Sequence, residues 1–78
     1  MTEDLAGQLI PACLLAMRER LEKALARARA AEACLGGDTL DIALQVALDV
    51  EVLTYEANVL LNAASLIHRM AGEAGRQA

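Results

Sequence analysis

The fold is decided by the stretch at residues 33–40, ACLGGDTL. Its Gly36 and Gly37 lie between two segments rich in Ala, Leu, Glu and Arg, which are strong helix formers. Glycine ends helices because it accepts the left-handed conformation at a C-terminal cap, and Asp38 or Thr39 is a suitable N-cap for a second helix. The stretch therefore predicts two helices joined by a tight turn, which leaves an antiparallel hairpin as the compact arrangement.

The chain is a single all-α domain in this interpretation, because 78 residues can build only one small core. Pro11 suits the first turn of helix 1, and Gly72 and Gly75 are expected to end helix 2 and leave a frayed tail. Residues 3–10 are either a separate turn or an extension of helix 1 kinked at Pro11. The predicted elements of the domain 1–78 are helix 1 at about residues 11–35, the turn at 36–38 and helix 2 at about 40–71.

Both helices carry apolar residues at the heptad spacing of coiled-coil-like packing. In helix 1 the seam consists of two lines: Leu14, Leu21, Ala28 and Leu35, and Ile10, Met17, Ala24 and Ala31. In helix 2 the seam runs without interruption through Ala43, Val46, Val50, Leu53, Ala57, Leu60, Ala64, Ile67 and Ala71. The alternating alanines predict that the two helices approach closely.

Opposite charges support the same pairing, because helix 1 is rich in arginine and the first half of helix 2 is acidic. Folding about the glycine pair is expected to bring Asp49 near Lys23 and Arg27. It is also expected to bring Glu56 near Arg18 and Arg20. The formal net charge of −4 argues against a sequence-independent grip on nucleic acid.

Helix 2 carries more apolar surface than one facing helix can cover, so a further partner is expected. A second copy of the chain, a different protein, or residues 1–10 folded back could cover it. Tyr55 is the only aromatic residue and is the expected anchor of this interface. The predicted partner-binding residues are Leu44, Leu48, Val52, Tyr55, Val59, Leu66 and Met70.

No catalytic, metal or cofactor site is expected from the residue types present. His68 is the only histidine and has no carboxylate one helical turn away. Cys13 and Cys34 lie about 31 Å apart on a continuous helix, too far for an intrachain disulfide. Neither a secretory signal nor a run of about 18 apolar residues is evident, so a cytoplasmic protein without membrane insertion is expected, with signal-less export also possible.

Parts of the chain resemble three kinds of protein from bacterial export systems. The run at residues 55–64, YEANVLLNAA, is similar to the C-terminal helix of flagellar rod proteins. The length, the hairpin and the central turn resemble type III secretion needle subunits. Residues 21–25 (LEKAL), 36–38 (GGD) and 67–72 (IHRMAG) are similar to the first helix, turn and ending of the small helical-hairpin co-chaperone that shields needle subunits.

The resemblance implies a non-enzymatic protein that binds helical partners or polymerises. The first hypothesis is a small chaperone or co-chaperone of a type III secretion or flagellar export system, acting by covering the apolar helices of a partner. The alternatives are an axial needle or rod subunit that self-assembles, and a homodimeric four-helix-bundle regulatory protein. A homo-oligomer, a helical protein partner, or both are expected, without nucleic acid or a small-molecule substrate.

Overall fold

The hairpin predicted from the sequence is confirmed by a computed structural model, which describes residues 2–36 and 40–77. Helix α1 spans Glu3–Ala33, a short 3-10 turn spans Cys34–Gly36, and helix α2 spans Leu40–Gln77. The described part of the chain is helical nearly throughout and contains no strand. The two helices lie side by side in a rod whose Cα atoms extend over 63 × 14 × 9 Å.

Helix α1 begins at Glu3, which resolves the open question about residues 3–10 in favour of a helical extension. Thr2 is the N-cap, and its Oγ1 accepts a hydrogen bond of 3.2 Å from the Leu5 N–H. Two acidic residues in the first turn interact favourably with the positive end of the helix dipole and so stabilise the start of the helix. Pro11 consequently lies in the helix interior, where it lacks the N–H that would bond the Gly7 carbonyl.

Helix α2 continues through Gly72 and Gly75 to Gln77, beyond the predicted end at Ala71. Each glycine costs about 1 kcal/mol relative to alanine in a helix interior, so packing must offset this cost. The N-terminal turns of α1 lie beside the first of these glycines, because Ile10 of α1 lines a groove with Ala71 and Gly72 of α2 at the open end of the hairpin. The two helix ends therefore support each other, and the tail is helical rather than frayed up to Gln77.

The turn differs in detail from the expected glycine cap. Helix α1 ends at Ala33 and tightens into the 3-10 turn, and the Cys34 N–H points at carbonyls of the last helical turn, including Ala30. No described glycine has a left-handed backbone, so Gly36 does not form the predicted cap. Gly37, and the capping expected of Asp38 or Thr39, lie outside the described residues.

The core between the helices consists of small side chains. Every residue of the predicted α2 seam is buried or half-buried, which confirms that prediction. None of the larger side chains in the described ranges is completely buried. The most buried residues are Ala6, Ala24, Ala31, Ala43, Ala57 and Ala64.

The predicted α1 seam is half right. The line of Ile10, Met17, Ala24 and Ala31 is buried or half-buried, as expected. The line of Leu14, Leu21, Ala28 and Leu35 is exposed, so its assignment to the hairpin seam is wrong. The adjoining line of Ala6, Cys13, Arg20, Arg27 and Cys34 turns towards α2 instead. Helix α1 is therefore rotated about its own axis relative to the predicted orientation. The rotation brings the two arginines to acidic residues of α2 and places small side chains between the helices, which allows a close approach.

Candidate functional site

The outer stripe is the row of Leu44, Leu48, Val52, Tyr55, Val59, Leu66 and Met70 along α2. All seven side chains are exposed, and Tyr55 is 68% exposed. At 100° per residue the centre of the outer stripe lies about 150° around the helix from the seam that packs on α1. Helix α1 therefore cannot cover the outer stripe.

The outer stripe has the spacing of a helix-packing surface. Leu48, Val52, Tyr55 and Val59 follow one another at steps of four, three and four residues. This is the spacing of the seam on the opposite side, which already holds a helix. Asn62 interrupts the large apolar side chains before Leu66. The most continuous part of the outer stripe is therefore its N-terminal half, with Tyr55 near its centre.

The charged flank is one long side of the hairpin, defined by Arg20 and Arg27 of α1 with Asp49 and Glu56 of α2. Arg20 Nε lies 3.3 Å from Glu56 Oε1, and Arg27 Nε lies 3.8 Å from Asp49 Oδ2. These two predicted pairings are confirmed. Because all four side chains are partly exposed, each pair contributes at most about 1 kcal/mol and mainly sets the register of the helices.

Arg18 was expected to lie near Glu56, but its ion pair is with a different residue. Its Nε lies 3.4 Å from Glu22 Oε1, one turn along the same helix. Arg20 is the arginine that reaches Glu56 instead. The difference follows from the rotation of α1, which carries Arg18 away from α2 and onto the solvent side of its own helix.

The outer stripe borders the charged flank at Tyr55. A surface groove of about 330 Å³ is lined by Arg20, Tyr55, Glu56, Val59 and Leu60. One wall is the ion pair between the helices and the other belongs to the outer stripe. An incoming side chain can therefore bury apolar atoms against Tyr55 and Val59 while keeping a polar end near Arg20 or Glu56.

The leucine flank is the opposite long side of the hairpin, which sequence reasoning did not identify. It consists of one line on each helix: Gly7, Leu14, Leu21, Ala28 and Leu35 of α1, and Leu40, Ala47, Thr54, Leu61 and His68 of α2. Near the turn, Leu35, Leu40 and Ala47 line one groove of about 370 Å³. At the open end, Gly7 and His68 line another. The two lines therefore adjoin at both ends of the rod.

Of the ten residues of the leucine flank, His68 is the only ionisable one, and Glu32 and Glu3 line the grooves at its two ends. The flank's other polar residue, Thr54, is internally satisfied. The Thr54 hydroxyl lies 2.9 Å from the Val50 carbonyl oxygen and 3.0 Å from that of Glu51, so it donates into its own helix. The signal for this flank was present in the sequence. Two full apolar lines on α1 are wider than one neighbouring helix can bury.

The described residues show no arrangement suited to metal chemistry. No three or more of their His, Cys, Asp and Glu side chains come together as a potential metal site. His68 shares its groove with Glu3, Gly7 and Ile10, and no Ser, Thr or Cys lines that groove. Neither described helix is both long and apolar enough to cross a membrane. The notable features of the surface are therefore its two apolar faces.

Comparisons with known proteins identify no relative: no protein-family model, curated protein or solved structure matches the chain. The resemblance to export proteins consequently remains a prediction based on short segments. The exposed surfaces of the hairpin are therefore the features that bear on function.

Proposed function

We propose that this protein is a non-enzymatic interaction module that covers the apolar face of a helical partner with its outer stripe. The observation that carries the proposal is the exposure of seven apolar side chains on the side of α2 that α1 leaves uncovered. Complete burial of a Leu or Val side chain stabilises an association by about 1.5–3 kcal/mol. The seven side chains are 40–68% exposed, so their further burial supplies part of this free energy at each position and favours binding.

The spacing of the outer stripe favours an α-helix as the partner. Side chains repeating at three and four residues form the ridges and holes into which a second helix packs. Tyr55 is the expected hot spot, because large aromatic side chains near the centre of an interface contribute most to affinity. The Arg20–Glu56 pair beside Tyr55 then forms part of the polar rim.

The proposed biological role is that of a small cytoplasmic chaperone or co-chaperone in type III secretion or flagellar export. The resemblance of residues 21–25, 36–38 and 67–72 to the needle co-chaperone supports this role. A needle or rod subunit polymerises through apolar helices, so a hairpin that covers one such helix keeps the subunit monomeric before export. The outer stripe supplies a surface of the type that this task requires.

The test is to mix the purified chain with a purified needle subunit, and separately a rod subunit, of the same bacterium. Light scattering after gel filtration should show a complex with equal numbers of both chains, and assembly of the subunit into filaments should slow. Tyr55→Ala should weaken binding roughly 30-fold, the effect of a hot spot of about 2 kcal/mol. Val59→Asp should weaken it further, because it buries a charge.

The matched control is Asn58→Ala. It changes an exposed polar residue that is next to Val59 in the sequence but outside the outer stripe, so it should leave binding unchanged. Circular dichroism should show equal helicity in all variants. No complex with either subunit would contradict the export role. Growth of the chain alone into open-ended filaments would instead support the axial-subunit alternative.

A further inference from the structure

The isolated hairpin exposes more surface than a compact protein of its mass. Its accessible surface is 5812 Å². A compact monomer of 8.3 kDa exposes about 4,600 Å² by the usual scaling, so the excess is about 1,200 Å² per chain. The excess arises from the rod shape and from a core that contains mainly alanine. A further layer of helices would remove it.

The split seam of α1 indicates where that layer packs. One line of the seam, which includes Met17 and Ala24, contacts α2, whereas the line of Leu14 and Leu21 is exposed beside it. In a four-helix bundle each helix has two neighbours, so its core seam is divided between them in this way. The leucine flank therefore has the position of half a bundle core.

We propose that a second copy of this chain packs its leucine flank against this one, forming an antiparallel four-helix bundle with the two turns at opposite ends. Two chains together carry about 2,400 Å² of excess surface, so burying about half to four-fifths of it would form an interface of the usual size, roughly 1,200–2,000 Å². This interface meets the outer stripe only near the turn, where Leu44 lines the same groove as Leu35 and Leu40. The rest of the outer stripe stays on the outside of the dimer for the proposed partner.

The side-chain sizes of the leucine flank are self-complementary, as a two-fold interface requires. If the two-fold axis passes by Leu21, large residues meet small ones along α1. Along α2 the axis passes by Thr54, and Ala47 again meets the larger Leu61. The pairs across the axis are Gly7 with Leu35, Leu14 with Ala28, Leu21 with itself, Leu40 with His68, Ala47 with Leu61, and Thr54 with itself.

The two helices place this axis at the same height of the hairpin. The ion pairs set the register, because Arg20 lies opposite Glu56 and Arg27 lies opposite Asp49. Leu21 is accordingly level with Tyr55, one residue from Thr54. A single two-fold axis therefore satisfies both lines of the leucine flank. No such agreement is required of a surface that binds an unrelated protein.

The first experiment measures the solution mass of the wild-type chain by sedimentation equilibrium across a wide dilution series. The expected mass is twice 8.3 kDa. Leu21→Lys places two like charges at the axis and should raise the dissociation constant at least roughly 100-fold. Val59→Asp is the control, since it changes the outer stripe and should leave the dimer intact. A monomeric wild type, or a dimer lost in Val59→Asp but not in Leu21→Lys, overturns the proposal.

The second experiment tests the arrangement without requiring a monomer to stay folded. Leu21→Cys places two thiols together at the axis, so mild oxidation should yield a covalent dimer. Tyr55→Cys, on the outer stripe, and the wild-type chain with its native Cys13 and Cys34 should yield far less under the same conditions. A non-covalent dimer in which Leu21→Cys cross-links no faster than the wild type rules out turns at opposite ends.

Discussion

The two long sides of the hairpin make a direct comparison, because they are built from corresponding heptad lines on the same two helices. On the charged flank, Arg20 meets Glu56 and Arg27 meets Asp49. On the leucine flank, Leu35 and Leu40 line a groove that remains open. One side is completed within the chain, whereas the other exposes apolar surface that the chain cannot cover.

The difference shows that register and stability come from different parts of the molecule. Partly exposed ion pairs stabilise a fold by about 0–1 kcal/mol each, but they discriminate between alternative alignments of two helices. Apolar side chains contribute more once buried, yet they specify an alignment poorly. In this hairpin the charges orient α1, and that orientation turns its leucines outwards, onto the face where we propose that a second copy packs.

The largest expected effect is on the leucine flank. Leu21→Ala should lower the free energy of unfolding by about 2–4 kcal/mol per chain, because a large side chain is lost from the core of the proposed dimer. In the free hairpin Leu21 is 44% exposed, and the same change should cost well under half as much. Urea denaturation at two protein concentrations distinguishes these outcomes, since only the dimer has a midpoint that rises with concentration.

A slightly smaller change in the free energy of unfolding, of opposite sign, is expected near the open end of the hairpin. Pro11→Ala restores a backbone donor inside α1 and should raise the free energy of unfolding by up to about 3 kcal/mol. Thermal denaturation followed by circular dichroism measures it. Ala12→Gly is the matched control and should be destabilising by about 1 kcal/mol. An unchanged melting temperature in Pro11→Ala would show that the first turns contribute little to the fold.

Loss of the N-cap of α1 should change the free energy of unfolding by less than either of these substitutions. Thr2→Ala removes the acceptor for the Leu5 N–H and should cost about 1 kcal/mol. Thr2→Ser keeps the acceptor and should restore most of the loss. Hydrogen exchange of the amides in the first turns of α1 and the last turns of α2 should accelerate together in Thr2→Ala. Acceleration confined to α1 would contradict the mutual support of the two helix ends.

The smallest effect is expected on the charged flank. Arg20→Glu should destabilise the hairpin by about 1 kcal/mol or less, and the double variant Arg20→Glu with Glu56→Arg should recover most of that loss. Arg18→Glu is the control, because its partner Glu22 lies on the same helix and carries no information about register. A coupling energy of zero between positions 20 and 56 would show that these charges do not orient α1.

The exposure of the outer stripe was predictable because it depends on one helix alone. The spacing of Leu48, Val52, Tyr55 and Val59 places them opposite the seam of α2 whatever the exact rotation of α1. The leucine flank was not predictable in the same way. Leu14 and Leu21 have heptad spacing whether they pack between the helices or lie on the side of the hairpin. Only the contacts of α1 with α2 decide between these two orientations.

The sequence by itself determined the two helices, the position of the turn and the seam of α2, because helix propensity, glycine placement and apolar spacing are local properties. The tertiary structure decided the rotation of α1 and the lengths of the helix ends. Rotation depends on which side chains of α2 meet Arg20 and Arg27, and the helix beyond Gly72 depends on packing against the first turns of α1. Both are properties of the helix pair, so neither helix determines them alone.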